Sequence, residues 1–379
     1  MQNQDNIDNI YTIIKRIDTG GFSFIYLVRN ENNHNQYVAK VRINENQQAF
    51  NNELQMTTIA FGLNNPNLIH LIGQGNGTIS FGGNVENNRN YLILDYHQKG
   101  DLFDYIQIPH QGFIELHAKF IFDKILRAVQ ALHLAGICHR NLKLQDILLD
   151  QNFNPIISDL CLATNNNVNA LNDFVGTQGY MAPQVINHQT YNGFKEDIFS
   201  LGALLFILVT GRRGFNTATI HDPHYMHIAN MNFNAYWHLI QNIIGINLSQ
   251  LFKNLYVRMV AFNENNRPTI DQILQDPWFA EIRNLNNEQQ AQLENQVHNE
   301  FLLREIQINQ HNNQQIHQIH QIHQIHQIHQ NQQNQQNQQN QQNQQNQQNQ
   351  QNQENQPNQE NQPNQENQPN QENHQNQQN

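Results

Sequence analysis

Three patterns in the sequence predict an α+β fold of two lobes, a small and mainly antiparallel β lobe with one key helix and a larger, mainly helical lobe, followed by a disordered tail. Residues 10 to about 105 carry short β-branched and aromatic runs separated by Gly, Asn and His turns. Residues 113–280 repeat apolar side chains at spacings of three and four. Beyond about Ile306 almost nothing is able to enter a core. In order, strands are expected at 11–17, 22–29, 36–42, 68–74 and 91–96, with the helix at 49–61 among them. Helices follow at 116–135, 197–210 and 251–260. The folded domain is expected over 10–280, its first lobe at about 10–97 and its second at about 98–280.

Two further segments complete the expected organisation. Residues 281–308 read as an amphipathic helical extension, with Leu285, Leu293, Val297, Phe301, Leu302 and Ile306 on one face, packing back on the domain or pairing with another helix. Residues 309–379 are low-complexity: Ile-His-Gln repeats give way to Asn-Gln-Gln and then Asn-Gln-Glu-Asn-Gln-Pro repeats. Too little apolar area is on offer there to offset chain entropy, so disorder is expected. Histidines at period three (His317, His320, His323, His326, His329) suit nonspecific transition-metal capture, and Asn/Gln tracts favour self-association.

Composition narrows the function classes. Charged residues make up 13% of the 379, against about 25% in an ordinary chain, and the formal net charge is -11. With a pI near 5.9, nucleic acid and anionic membrane surfaces are poor partners. No apolar run approaches the ~20 residues of a membrane span, and Met1 to Asn9 has no signal-peptide core. Two cysteines point to a reducing compartment. An intracellular protein of cytoplasm and/or nucleus is expected, and Cys138 reads as a small buried hydrophobe.

Chemistry enters with a set of ordered motifs. Tyr37-Val38-Ala39-Lys40-Val41 is a strand bearing a lysine, and Glu53 follows thirteen residues after that lysine on the helical segment. His139-Arg140-Asn141-Leu142-Lys143 continues to Asp146, and Ser158-Asp159-Leu160-Cys161 comes next. Gly176-Thr177-Gln178-Gly179-Tyr180-Met181-Ala182-Pro183-Gln184, Asp197-Ile198-Phe199-Ser200-Leu201-Gly202 and Asn266-Arg267-Pro268-Thr269 close the series. In these segments the chain resembles the protein kinase superfamily, whose catalytic loop reads H-R-D-L-K-x-x-N. The details resemble most the calcium/calmodulin-dependent and AMP-activated groups of serine/threonine kinases. The resemblance covers about residues 10–280 and implies the two-lobed protein-kinase fold.

The resemblance implies ATP and Mg²⁺ as cofactors and distributes the roles. Lys40 would meet the α/β-phosphates, and Glu53 would hold Lys40. Asp146 and Asp159 would bind the metal, and Lys143 would sit near the γ-phosphate. Leu94 takes the gatekeeper-like position, with Asp95 to His97 as the hinge. Ile17, Gly20, Ile25, Ala39 and Leu148 complete the expected nucleotide site.

Departures from the pattern are as specific as the matches. Asn141 stands where the family has the aspartate that accepts the substrate proton, and an amide is not basic; general-base help amounts to about 10²–10⁴-fold. Asp146 stands for the second metal-binding asparagine. The three loop glycines fall at Asp18, Gly20 and Ser23, so only the middle one remains. Cys161 replaces the D-F-G glycine, and Gln184 a glutamate that pairs with Arg267. Asp173, three residues before Gly176, sits where related kinases carry a phosphothreonine; it reads either as a partner for Arg140 or as a solvated loop aspartate among asparagines. The expectation is a pseudokinase that binds Mg-ATP and acts as a signalling scaffold or allosteric module. The alternative is an active serine/threonine kinase. Neither a substrate nor a protein partner is named by the sequence.

Overall fold

The computed structural model describes residues 5–43, 46–108 and 111–354. Its first part is a sheet built from β1 (Asn6–Ile7), β2 (Tyr11–Thr19), β3 (Ser23–Asn30) and β4 (Gln36–Arg42), then helix α1 (Gln47–Gly62), β5 (Leu71–Phe81) and β6 (Asn84–Asp95). All pairings are antiparallel, and because β1 pairs with both β2 and β5 the sheet closes in the order β1-β2-β3-β4-β6-β5. The five expected strands and the helix are present. Two features were not legible: the two-residue β1, and the continuation of β5 and β6 into a long hairpin through 75–90. Apart from Ile79 and Phe81 that stretch is largely polar, so its apolar alternation is too short to read as a long strand.

Alternation along β4 divides this half into two faces. Ala39 and Val41 turn into an apolar cluster with Ile13, Tyr26, Val28, Tyr91 and Ile93. Val38, Lys40 and Arg42 face the other way, into a cavity. Helix α1 begins at Asn46, whose side chain accepts from the Ala49 amide at 3.0 Å.

The second part opens with α2 (Asp104–Gln107) and α3 (Glu115–Leu134), then the hairpin β7 (Ile147–Leu149) and β8 (Pro155–Ile157). After it come α4 (Pro183–Ile186), α5 (Gly193–Thr210), α6 (Tyr225–Ala229), α7 (Phe233–Ile244), α8 (Gln250–Met259), α9 (Ile270–Leu274) and α10 (Ala280–Arg283). Helix α5 is buried along nearly its whole length, as a stretch apolar on all sides requires. A β-carbon on Gly202 would lie 2.7 Å from Val260 Cγ1 and 2.9 Å from Met259 Cβ, so glycine allows α5 to approach the end of α8 this closely. Cys138 is fully buried, as expected.

Helix α11 spans Asn287–Glu354. The chain divides into 1–311, which holds β1 to α10 and the first part of α11, and 312–379. In the first unit α11 packs back on the domain through Leu293, Val297 and Phe301, buried at a spacing of four. Leu302 and Ile306 are a correction to the expected face: they are 38% and 52% exposed. The helix turns Arg304 inward instead. Its guanidinium donates to the carbonyls of Tyr105 (2.9 Å), Gln111 (2.7 Å) and Gly112 (2.8 Å) and lies over the Phe113 ring. The described backbone of α11 runs to Glu354, and glutamine, abundant there, is a good helix former. The rest of the tail, 355–379, lies outside the described residues, and the metal-capture expectation rests on histidine side chains that also lie outside them.

Candidate functional site

A cavity of about 550 Å³ opens where β2–β4, the end of β6 and the β7–β8 hairpin converge. Ile17, Gly20, Ile25, Lys40, Glu53, Leu94, Asp95, His97, Asp146, Leu148 and Asp159, all named from the sequence, line it. Ala39 does not. Its side chain is fully buried in the opposite, apolar face of the sheet, and Val38, one step away in a period of two, takes the cavity position. Asn141 and Lys143 are not part of the wall and approach it through Asp146: Asn141 Nδ2 donates to Asp146 Oδ2 at 3.3 Å, and Lys143 Nζ lies 3.6 Å from Asp146 Oδ1.

Charge is concentrated at the inner end. Lys40 Nζ lies 2.5 Å from Glu53 Oε1 and 2.6 Å from Asp159 Oδ1. Burial alone would lower the Lys40 pKa, but Asp159 and Glu53 hold it well above the ordinary value. Burial likewise works to raise Asp159, and Lys40, by charge and by hydrogen bond, holds it well below the usual carboxylate range. Asp146 goes the other way, raised by burial and then by the neighbouring Asp159. Nearer the mouth, burial and the Asp104 charge push Asp101 up to about 6.

The donor set fits a hard divalent cation. Asp146 and Asp159 offer carboxylate oxygens on one wall, and among the described residues no cluster of three or more His, Cys, Asp or Glu side chains forms a closed metal cage. Two carboxylates completed by phosphate oxygens of a ligand is the way Mg²⁺ is commonly held.

The loop before β7 is fixed from beneath by Asp197 of α5, whose carboxylate accepts from the amides of His139 and Arg140, both at 2.8 Å. His139 Nε2 lies 3.1 Å from the Ser158 carbonyl, tying this loop to the one bearing Asp159. Arg140 and Asp159 both adopt positive φ, 65° and 56°, the kind of backbone outlier found where a site is held in one geometry. Asn141 is held on both sides: its Oδ1 accepts from Thr177 Oγ1 at 2.7 Å while its Nδ2 serves Asp146. Of the two readings of Asp173, the ion pair is the one present, Arg140 Nη1 to Asp173 Oδ2 at 2.6 Å, with Arg140 Nε on the Leu162 carbonyl at 2.7 Å. Gln184 Oε1 accepts from Arg267 at 2.6 Å. Cys161 lines the cavity and needs no left-handed backbone. A β-carbon on Gly20 would meet nothing closer than 3.6 Å, so the fold by itself does not require that glycine.

Asp197, Thr177 and Arg42 were given no role from the sequence. Asp197 and Thr177 lie inside motifs quoted from it, but neither motif says which amide or side chain each one serves. Ser23 and Arg42 also line the cavity; the alternation that put Lys40 on that wall would have put Arg42 there as well.

The chain is similar to known proteins. Residues 11–279 match the family described as protein kinase domain. The chain is 34% identical over 194 residues to "CBL-interacting serine/threonine-protein kinase 26" of Arabidopsis thaliana, covering 50% of this chain and 42% of that one. It is 31% identical over 194 residues to "CBL-interacting protein kinase 2" of Oryza sativa subsp. japonica, covering 50% and 41%. Against "Sucrose non-fermenting protein kinase 1" of Fusarium virguliforme the identity is 33% over 194 residues, covering 51% and 26%. The matched stretch is half or less of the length of these curated relatives, which agree with the expected nearness to the calcium/calmodulin-dependent and AMP-activated groups.

Proposed function

The chain belongs to the protein kinase family, and from that premise we propose that it binds ATP with Mg²⁺ while transferring the γ-phosphate slowly or not at all, so that its lobes act as a signalling scaffold or allosteric module. One observation carries the reading. At the position from which a base would take the substrate proton stands Asn141, whose oxygen already accepts from Thr177 and whose amide already donates to Asp146. An amide lacks the basicity to take a proton from an alcohol, and these two contacts hold the Asn141 side chain in place. Nucleotide binding is supported separately by Lys40, Glu53, Leu94 and the backbone of Asp95 to His97 around one cavity. Mg²⁺ on Asp146 and Asp159 would neutralise charge on the phosphates. The Asn/Gln-rich tail enters the proposal as a self-association segment.

A second reading, an ATP-dependent serine/threonine kinase, is favoured by the formed Lys40–Glu53 pair and by the Arg140–Asp173 bridge, which orders the segment without a phosphate. A labelled γ-phosphate transfer assay on the full chain separates the two. Turnover by the wild type that Lys40→Met abolishes selects the kinase. Turnover seen only when Asn141→Asp is combined with Asp146→Asn selects the impaired protein. Mg-ATP raising the melting temperature tests binding independently, since a ligand of the folded state must stabilise it.

A further inference from the structure

Ser23 and Arg42 stand directly opposite one another in the β3–β4 pairing. Both line the cavity, and both are almost wholly buried, at 2% and 4% exposure. Each carries a polar atom with no partner, Ser23 Oγ and Arg42 Nε. Among the described residues the Arg42 guanidinium has one polar partner, Glu53, and that contact is long: Nη1 to Oε2 is 3.4 Å, while the other Glu53 oxygen is taken by Lys40 at 2.5 Å. A buried guanidinium with one long polar contact beside a buried, unpartnered hydroxyl, both on residues that line one cavity, form a site for an oxyanion. Leaving such groups unpaired is costly, and a bound anion removes that cost.

Register says which anion. Strand β4 meets the Asp95 end of β6 through Tyr37 and reaches the β2–β3 turn at Arg42. Along it Lys40 comes before Arg42, two residues or about 6.5 Å further from the hinge. In a nucleotide whose base meets Asp95 to His97, the inner phosphates fall at Lys40 and the terminal one falls beyond it. We propose that Arg42 and Ser23 form a subsite for the terminal phosphate of a nucleoside triphosphate, supplying side-chain donors where two of three loop glycines are absent. This rests on the nucleotide reading of the cavity and adds a specificity to it: triphosphate over diphosphate.

Titration calorimetry of the full chain with adenosine, ADP, ATP and inorganic tripolyphosphate, Mg²⁺ present, tests it. Wild type should prefer ATP over ADP by about tenfold or more. Arg42→Met should erase the preference, weakening ATP by roughly 10–100-fold, the range of a charge-assisted hydrogen bond, and leaving ADP within about threefold. Arg42→Lys should recover part of it. If Arg42→Met does not fold, as judged by its unliganded melting curve, Ser23→Ala must give a smaller loss confined to ATP. Equal losses for ADP and ATP, or no loss for either, overturn the subsite and leave Arg42 as a brace for Glu53. If the wild type binds no adenosine compound, the nucleotide reading falls. Tripolyphosphate then decides the subsite alone: binding that needs Arg42 keeps it, and no binding ends it.

Discussion

Asn141 and Asp146 carry each other's expected side chains, and the contact between them explains how the exchange is tolerated. An amide and a carboxylate five residues apart still form one hydrogen bond, Nδ2 to Oδ2 at 3.3 Å, and the local charge is the same whichever position holds the acid. Restoring aspartate at 141 alone breaks this balance. Two carboxylates would then face each other at hydrogen-bond distance, with Asp159 already raising Asp146, and like charges so close cannot both ionise without a large pKa shift. The single variant Asn141→Asp should therefore transfer phosphate at least tenfold more slowly than Asn141→Asp with Asp146→Asn. The double variant should exceed the wild type by about 10²–10⁴, the worth of a positioned base. Single-turnover transfer of labelled γ-phosphate measures both. Equal rates for the single and double variants would remove the repulsion argument, and a double variant no faster than wild type would show that Asn141 is not what limits transfer.

Among the elements, α11 shows what a sequence pattern does and does not specify. Leu293, Val297 and Phe301 repeat at four and are buried, so the existence of a docking face was readable. Which flank of the stripe turned inward was not, because Leu302 and Ile306 are as apolar as the residues that pack; the choice is made by Arg304, which satisfies three carbonyls of 105–112 that no local pattern advertises. The cavity was legible to a similar depth. Lys40, Glu53 and Asp159 follow from motif order, whereas Val38 in place of Ala39 needed only the period of two applied from Lys40. Arg42 needed no more than that same period, and Ser23 was already placed by the glycine-loop pattern; Thr177 needed the loop contacts themselves. The face assignment is testable by deletion. Phe301→Ala should destabilise the folded unit by about 3–5 kcal/mol, the usual cost of truncating a buried aromatic. Leu302→Ala, one residue on and 38% exposed, should cost no more than about 1 kcal/mol. Chemical denaturation of the two variants reads this directly, and similar losses in both would mean that α11 docks through a different face.

Across the folded unit 1–311, the dependence of stability on pH has contributions of opposite sign. Glu196 of α5 is buried and accepts from the Ala182 amide. Burial pushes its carboxyl up from 4.5 to about 8, against the opposing pull of Arg267. Between those two values the folded chain keeps a proton that the unfolded chain releases. The associated stability is complete below about pH 4.5 and is lost as pH climbs through about 8. His97 and His139 act in reverse. Burial lowers both below 6.5, so the unfolded chain takes up protons that the folded chain refuses, and their contribution is lost as pH falls. The raw slope for the wild type therefore mixes the two, and the informative quantity is its difference from Glu196→Gln, which keeps the shape of the side chain and cannot ionise. Relative to that variant, the wild type should lose on the order of a few kcal/mol between pH 5 and pH 8, or roughly 5–10 °C of melting temperature for a unit of this size. Melting curves for the two proteins at several pH values give the difference directly. Parallel profiles would mean that Glu196 is ionised throughout the range and that Arg267, shared with Gln184, neutralises it after all.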